Sequence, residues 1–178
     1  MKQDNLCPIC GDGILQQKVT TATREFNGKQ GVIAIHYSEC SECGCETASE
    51  KDMKLNARNM NKFKKQCLGL LTGKELLSIR NDLGISQREA ADVFGGGPNS
   101  FTKYEHDDVI QSVAMDRLIR TAYKYDVVLL DLCKQAGIST NKMHLHKIIK
   151  ASISKEIPSQ YTELAHYSHG ISAKQLVS

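Results

Sequence analysis

The 178-residue chain is predicted to have an α+β fold, a small cysteine-stapled β-hairpin domain followed by an all-α helix-turn-helix bundle. Three observations predict it. Cys7-Pro8-Ile9-Cys10 and Cys40-Ser41-Glu42-Cys43 are Cys-x-x-Cys pairs separated by 29 residues. Between them, two stretches rich in β-formers flank Asn27-Gly28. Beyond residue 71, apolar side chains recur at helical spacing between recognisable caps.

The thiol pairs come first. A Cys-x-x-Cys segment can curl so that its two sulfurs converge, and two such knuckles supply the tetrahedral four-thiolate shell of structural Zn²⁺. Cys7, Cys10, Cys40 and Cys43 are therefore the expected ligands of one zinc per chain, with Gly44 suited to the turn after the second pair. Cys45, two residues beyond Cys43, is the alternative fourth ligand. Four thiolates leave no position open for water, so the ion is expected to be structural. Enzymatic use of zinc fits poorly in any case. The chain has no His-Glu-x-x-His, and no His-x-Glu preceding a Pro-Cys-x-x-Cys.

Residues 1–50 read as a β-like zinc-binding domain. Val19 to Phe26 and Val32 to Tyr37 are its strands, joined at Asn27-Gly28, a strong type I′ turn signal. Fifty residues bury little apolar surface, and the metal is expected to supply the missing stability. Residues 51–70 change to a helical pattern. Met53, Met60, Phe63 and Cys67 share one face, while Lys51, Lys54, Arg58, Lys62, Lys64 and Lys65 lie elsewhere. This segment is strongly basic between two mildly acidic blocks, and it reads as a helical linker lying near a polyanion. Lys62, Lys64 and Lys65 are its candidate phosphate contacts.

Residues 71–137 read as the helix-turn-helix domain. Leu76, Ile79 and Leu83 line a first helix that Gly84 ends. Ser86-Gln87-Arg88-Glu89 is a capping box opening a second, which runs to Phe94. Gly95-Gly96-Gly97 turns the chain, Pro98 is suited to a first helical position, and a short third helix runs to about His106. Ser112 and Asp126 are expected caps of two more helices, and Gly137 the stop of the last.

The short helix carries the chemistry. At about 100° per residue, Asn99 and Lys103 share a face with Thr102 on its flank, and Phe101 and Tyr104 point away. A recognition helix needs such an aromatic back and polar front. Asn can bond adenine N6 and N7 together, and Lys can donate to guanine O6 or N7. Ser100 and Gln87, on the same helix and at the start of the preceding one, complete the candidate DNA contacts. The three glycines are not followed by Gly-Lys-Ser/Thr, which argues against a phosphate-cradling nucleotide loop.

The two Cys-x-x-Cys pairs, Ser86 to Ala91, and above all Phe94-Gly95-Gly96-Gly97-Pro98-Asn99-Ser100-Phe101-Thr102-Lys103-Tyr104-Glu105 resemble the MqsA-type antitoxins over about residues 5–136. These are two-domain bacterial proteins with a zinc-binding N-terminal part and an Xre-like helix-turn-helix. The resemblance implies a homodimer, formed through the helical half, that binds a palindromic operator in double-stranded DNA and represses its own operon. It also implies that the N-terminal part clasps a partner toxin, typically an mRNA-cleaving ribonuclease. The family's base-reading Asn falls on Asn99, and its base-reading Arg on Lys103, which keeps the charge but not the two-pronged geometry. Cys45 and the tail at 138–178 are further departures. A zinc-containing helix-turn-helix regulator with no toxin partner is the alternative reading.

Other residues are less informative. Cys67 and Cys133 fall on apolar faces and read as core thiols. In the C-terminal extension, Leu145, Ile148, Ile149 and Ile153 have helical spacing and Pro158 can open a further helix. Its histidines, His144, His146, His166 and His169, read as surface residues rather than a second metal site. Seven cysteines without an apolar signal segment suggest a reducing, cytoplasmic setting. No apolar run approaches the roughly 20 residues needed to cross a bilayer.

Overall fold

A computed structural model describes residues 5–139, and the expectations for the tail from residue 140 onward lie outside that range. The fold is α+β, an antiparallel hairpin bearing a cysteine cluster followed by helices. Strands β1 (Leu15–Phe26) and β2 (Lys29–Cys40) pair along their whole length. They turn at Asn27 and Gly28, with φ of 53° and 71°, as a type I′ turn requires. Both strands are longer than the alternation of β-formers suggested, because the ladder continues through polar Gln16, Gln17 and Lys18. Leu15 pairs with Cys40 at the open end, so the register brings both knuckles to the same end of the ribbon. A short β3 (Glu46–Thr47) adds to β2 and gives the order β1-β2-β3.

Helix α1 (Glu50–Leu68) starts at a capping box formed by Ser49 and Asp52 and stops at Gly69, whose φ is 70°. It lies on β2. Phe63 and Cys67 bury against Ile33, with Phe26, Ile35 and Met60 around them. The Phe63 ring sits over Gly31, where a Cβ would collide with it. Beyond β3, the free edge of β2 is covered by helix side chains. Asn56 Oδ1 accepts from the His36 N–H at 2.7 Å, Asn56 Nδ2 donates to the His36 carbonyl at 2.9 Å, and Asn59 Nδ2 donates to the Ala34 carbonyl at 2.9 Å. Backbone groups that would otherwise recruit another strand are thereby satisfied. The reading of 51–70 as a linker is corrected here: its apolar face completes the hairpin's core.

Among the described residues five helices follow, α2 (Gly73–Asp82), α3 (Gln87–Phe94), α4 (Ser100–Glu105), α5 (Val113–Lys124) and α6 (Asp126–Gln135). Leu76, Leu83, Ile85, Ala90, Ala91, Phe94, Phe101, Ile119, Ala122, Leu129 and Cys133 are buried among them. The Ser86–Glu89 capping box forms as expected, and the Ser112 side chain caps α5. Two helix starts differ from expectation. Pro98 lies outside α4, which begins at Ser100 with Asn99 as its cap residue, and Tyr125 rather than Asp126 occupies the cap of α6. Among the described residues no helix is long and apolar enough to cross a membrane.

Candidate metal centre and nucleic-acid interface

The two knuckles are built alike. The Gly11 N–H donates to the Cys7 carbonyl at 3.0 Å, and the Gly44 N–H to the Cys40 carbonyl at 3.2 Å. The Cys7 N–H donates to the Gly13 carbonyl at 2.8 Å, and the Cys40 N–H to the Cys45 carbonyl at 3.0 Å. Gly11 and Gly44, with φ of 79° and 68°, take the left-handed turn that lets each pair close. Gly13 has a separate role: a Cβ there would strike Cys40 Sγ. Gly11 and Gly13 were missed at the sequence level, although the repeated Cys-x-x-Cys-Gly carried the signal for the first.

The sulfur atoms of Cys7, Cys10, Cys40 and Cys43 lie within 4.8 Å of one another. The Cys7–Cys43 and Cys10–Cys40 separations are both 3.7 Å. A tetrahedron with metal–sulfur bonds of about 2.3 Å has edges of about 3.8 Å, so these four residues fit a metal ion. Cys45 Sγ approaches Cys7 Sγ to 3.2 Å, too close for both to occupy corners of that tetrahedron. Backbone N–H groups point at the sulfurs: Ile9 at Cys7 and Glu42 at Cys40, both at 3.4 Å, and Gly13 at Cys10 at 3.5 Å.

Such N–H groups stabilise thiolate. Cys7, Cys10 and Cys40 are lowered from the ordinary thiol value, chiefly by the backbone N–H groups of Cys10, Gly13 and Cys43 respectively. At Cys43 the backbone N–H of Cys45 also lowers the thiol, but the sulfurs of Cys45, Cys40 and Cys10, together with burial, outweigh it and the net direction is up. Cys45 is raised, first by its hydrogen bond to Cys7. A dication held by the four sulfurs would favour the thiolate form of each.

The second site is the front of α4. Phe101 is buried, with its ring centroid 5.7 Å from that of Phe94 and 5.9 Å from that of Tyr104. Asn99 and Lys103 are exposed on the other side, and the Asn99 side chain makes no capping bond. Gly96 approaches Ser100 closely, so a side chain there would crowd the turn.

The remaining candidates are placed less freely. Ser100 is buried with its hydroxyl 3.4 Å from the Gly95 carbonyl. Thr102 Oγ1 donates to Gln87 Oε1 at 2.7 Å, and Gln87 Nε2 donates to Glu105 Oε2 at 2.7 Å. Glu105 is in turn held by Arg80, whose guanidinium also donates to the Ile85 carbonyl at 3.0 Å. Thr102 and Gln87 thus brace α4 against α3. Lys62 is exposed, whereas Lys64 lies over the Phe26 ring at 5.5 Å. Lys65 corrects the reading of it as a phosphate contact. Its side chain is wholly enclosed and its ammonium donates to Asp107 Oδ1 at 2.7 Å.

A family model described as "Antitoxin component of bacterial toxin-antitoxin system, MqsA" matches residues 5–134. The chain belongs to this antitoxin family. Antitoxin MqsA of Escherichia coli (strain K12) is 23% identical over 128 residues, which cover 71% of this chain and 98% of that protein. The match spans both the cysteine cluster and α4, so both candidate sites belong to the part of the chain that is MqsA-like.

Proposed function

We propose that the chain is a sequence-specific DNA-binding antitoxin. As a homodimer it binds an inverted repeat in its own promoter, represses its operon, and neutralises a partner toxin through its zinc-bearing body. The observation that carries the DNA reading is α4, with its aromatic back seated on Phe94 and its exposed Asn99 and Lys103 in front. Asn99 reads an adenine edge and Lys103 a neighbouring guanine. Thr102 and Gln87 hold that face in place. Lys62 adds a phosphate contact that is indifferent to sequence.

The ion held by Cys7, Cys10, Cys40 and Cys43 is Zn²⁺, one per chain, and its role is structural. A closed four-sulfur set offers no position for a reacting water, which supports a regulator with no catalytic activity of its own. Membership of a toxin–antitoxin family supports a protein toxin as the partner; we take it to be an mRNA ribonuclease, met in the cytoplasm.

A mobility-shift assay with the chain's own promoter tests the reading. A dimer should protect two half-sites about 34–36 Å apart, or a multiple of that spacing. Binding indifferent to sequence, or a monomer on one half-site, would overturn it. Co-expression with the neighbouring reading frame should recover a stable complex with the toxin.

A further inference from the structure

We infer that Lys65 and Asp107 are positioning residues for base recognition, fixing α4 against α1 so that Asn99 and Lys103 meet the bases in one pose. This rests on the DNA-binding reading above. The Lys65 ammonium, wholly buried, donates to the Tyr104 carbonyl at 2.9 Å and to Asp107 Oδ1 at 2.7 Å. Tyr104 is in the last turn of α4, where its carbonyl also accepts the Asp107 N–H at 3.2 Å and a cation is favoured. The same Asp107 oxygen accepts the N–H of Gly73, the first residue of α2, at 2.8 Å. A single carboxylate oxygen thus ties α1, the exit of α4 and the start of α2. Asp107 reaches this position at φ 57°, left-handed backbone that is uncommon for residues other than glycine, though Asp and Asn adopt it more readily than most.

The attachment is broader than one ion pair. From the same face of α1, Arg58 binds Asp108 through two bonds of 2.7 and 3.1 Å. Asn61 Nδ2 lies 2.9 Å from the Asp107 carbonyl and 3.0 Å from that of Asp108. Gly73 lets the two chain segments meet, since a Cβ there would run into the Glu105 carbonyl. A helix as short as α4 has few internal bonds with which to hold its own direction. Its aromatic back is held by the Phe94–Phe101 ring contact, its flank by the Gln87–Thr102 bond, and its C-terminal end by α1. A buried ammonium is an expensive filler, because desolvating it costs more than burying an apolar chain of the same length. Its geometric effect is to place the reading face relative to the hairpin body.

The test compares the wild type with Lys65→Met, Lys65→Arg and Asn99→Ala, each confirmed folded by circular dichroism at the assay temperature. The probes are the promoter duplex and the same duplex substituted at the base pair where Asn99→Ala loses preference. Lys65→Met should reduce discrimination between the duplexes by about tenfold with the salt dependence unchanged. Lys65→Arg should retain more of it. Lys65→Met combined with Asn99→Ala should discriminate no worse than Asn99→Ala alone, since both act through one contact. Wild-type discrimination by Lys65→Met, or additive losses in the double variant, would overturn the inference. Should Lys65→Met not fold, Arg58→Ala and Asn61→Ala serve instead: a smaller loss in the same sense supports the inference, and none overturns it. If the wild type itself shows no promoter preference, the functional reading fails and the inference with it. Discrimination lost in Asn99→Ala but kept in the Lys65 variants removes the inference alone.

Discussion

The hairpin body and the helical bundle solve the same problem with different means. The hairpin ribbon is exposed over most of β1, and its core consists of Ile33, Phe63 and Cys67 with three half-buried neighbours. The bundle buries Leu76, Leu83, Ile85, Phe94, Phe101, Ile119 and Leu129 among five short helices. A body of the first kind cannot offset its conformational entropy by apolar burial alone, whereas one of the second kind can. The difference teaches where each half is vulnerable. The first depends on one cluster of sulfurs at the end of its ribbon, the second on side chains spread through its interior.

Removing the metal should therefore give the largest effect and the most local one. Structural zinc contributes on the order of 10–16 kcal/mol in small domains. Strong chelation, or Cys10→Ser, should abolish amide protection in β1 and β2 and weaken it in α1, whose apolar face would lose its support. The bundle amides should stay protected. Hydrogen exchange reads both halves in one experiment, and full protection of the hairpin after complete metal loss would end the comparison.

Phe101→Ala probes the other half. Truncating a fully buried aromatic typically costs about 3–5 kcal/mol, and here it also removes the tilted ring contact with Phe94 and the edge-to-face contact with Tyr104. Denaturant unfolding followed in the bundle should report the loss, while hairpin protection stays at its wild-type level with the cysteine site loaded. Equal losses in the two halves would mean that they unfold as one unit.

Features resting on near neighbours were legible in the sequence. The Cys-x-x-Cys pairs, Asn27-Gly28, the Ser86–Glu89 box and the Ser112 cap are all signals a few residues long, and each appears in the structure. Asn99 and Lys103 are exposed and Phe101 is buried, in keeping with the helical wheel. What was not legible depends on distant partners. Lys65 sits in a basic run and reads as a solvated charge, because its partner Asp107 is 42 positions away. The packing of α1 on β2 is hidden for the same reason: amphipathicity shows that a helix has an apolar face and not what covers it. The bracing of Gln87 by Thr102 and Glu105 likewise needs the fold before it can be seen.

Asn99→Ala should separate function from stability. Loss of one paired contact to a base edge costs roughly 1–3 kcal/mol per half-site and relaxes preference at a single base pair. Thermal stability should not change in either half, since the side chain is exposed and makes no capping bond. Lys62→Ala should instead weaken all sequences alike and flatten the salt dependence. A uniform loss for Asn99→Ala would reassign that residue to the phosphate backbone.

The smallest expected effect compares two helix caps, one in each half. Ser49 caps α1 and Ser86 caps α3, each in a reciprocal box. Their surroundings differ. Asp52 is buried and accepts from the Ser49 N–H, the Ser49 hydroxyl and Gln17 Nε2 at 3.0, 2.7 and 3.1 Å, which links the start of α1 to β1. The bonds of the Ser86 box are exposed. Ser49→Ala should cost about 1–2 kcal/mol and Ser86→Ala about 0.5–1 kcal/mol, each within its own half. Acid distinguishes them further. Asp52 is held below the usual carboxylate range, first by the Ser49 hydroxyl. A carboxylate lowered on folding stabilises fully above its unfolded value, and the gain fades as pH falls through the folded one. Removing the hydroxyl moves the folded value up toward the unfolded one, so the hairpin body of Ser49→Ala, already less stable at neutral pH, should lose less further stability than wild type as pH falls below the unfolded value. Urea unfolding from about pH 6 down to about pH 3 covers the window. An acid limb in Ser49→Ala as steep as that of wild type would show that the ribbon contact through Gln17, rather than the cap, keeps Asp52 ionised.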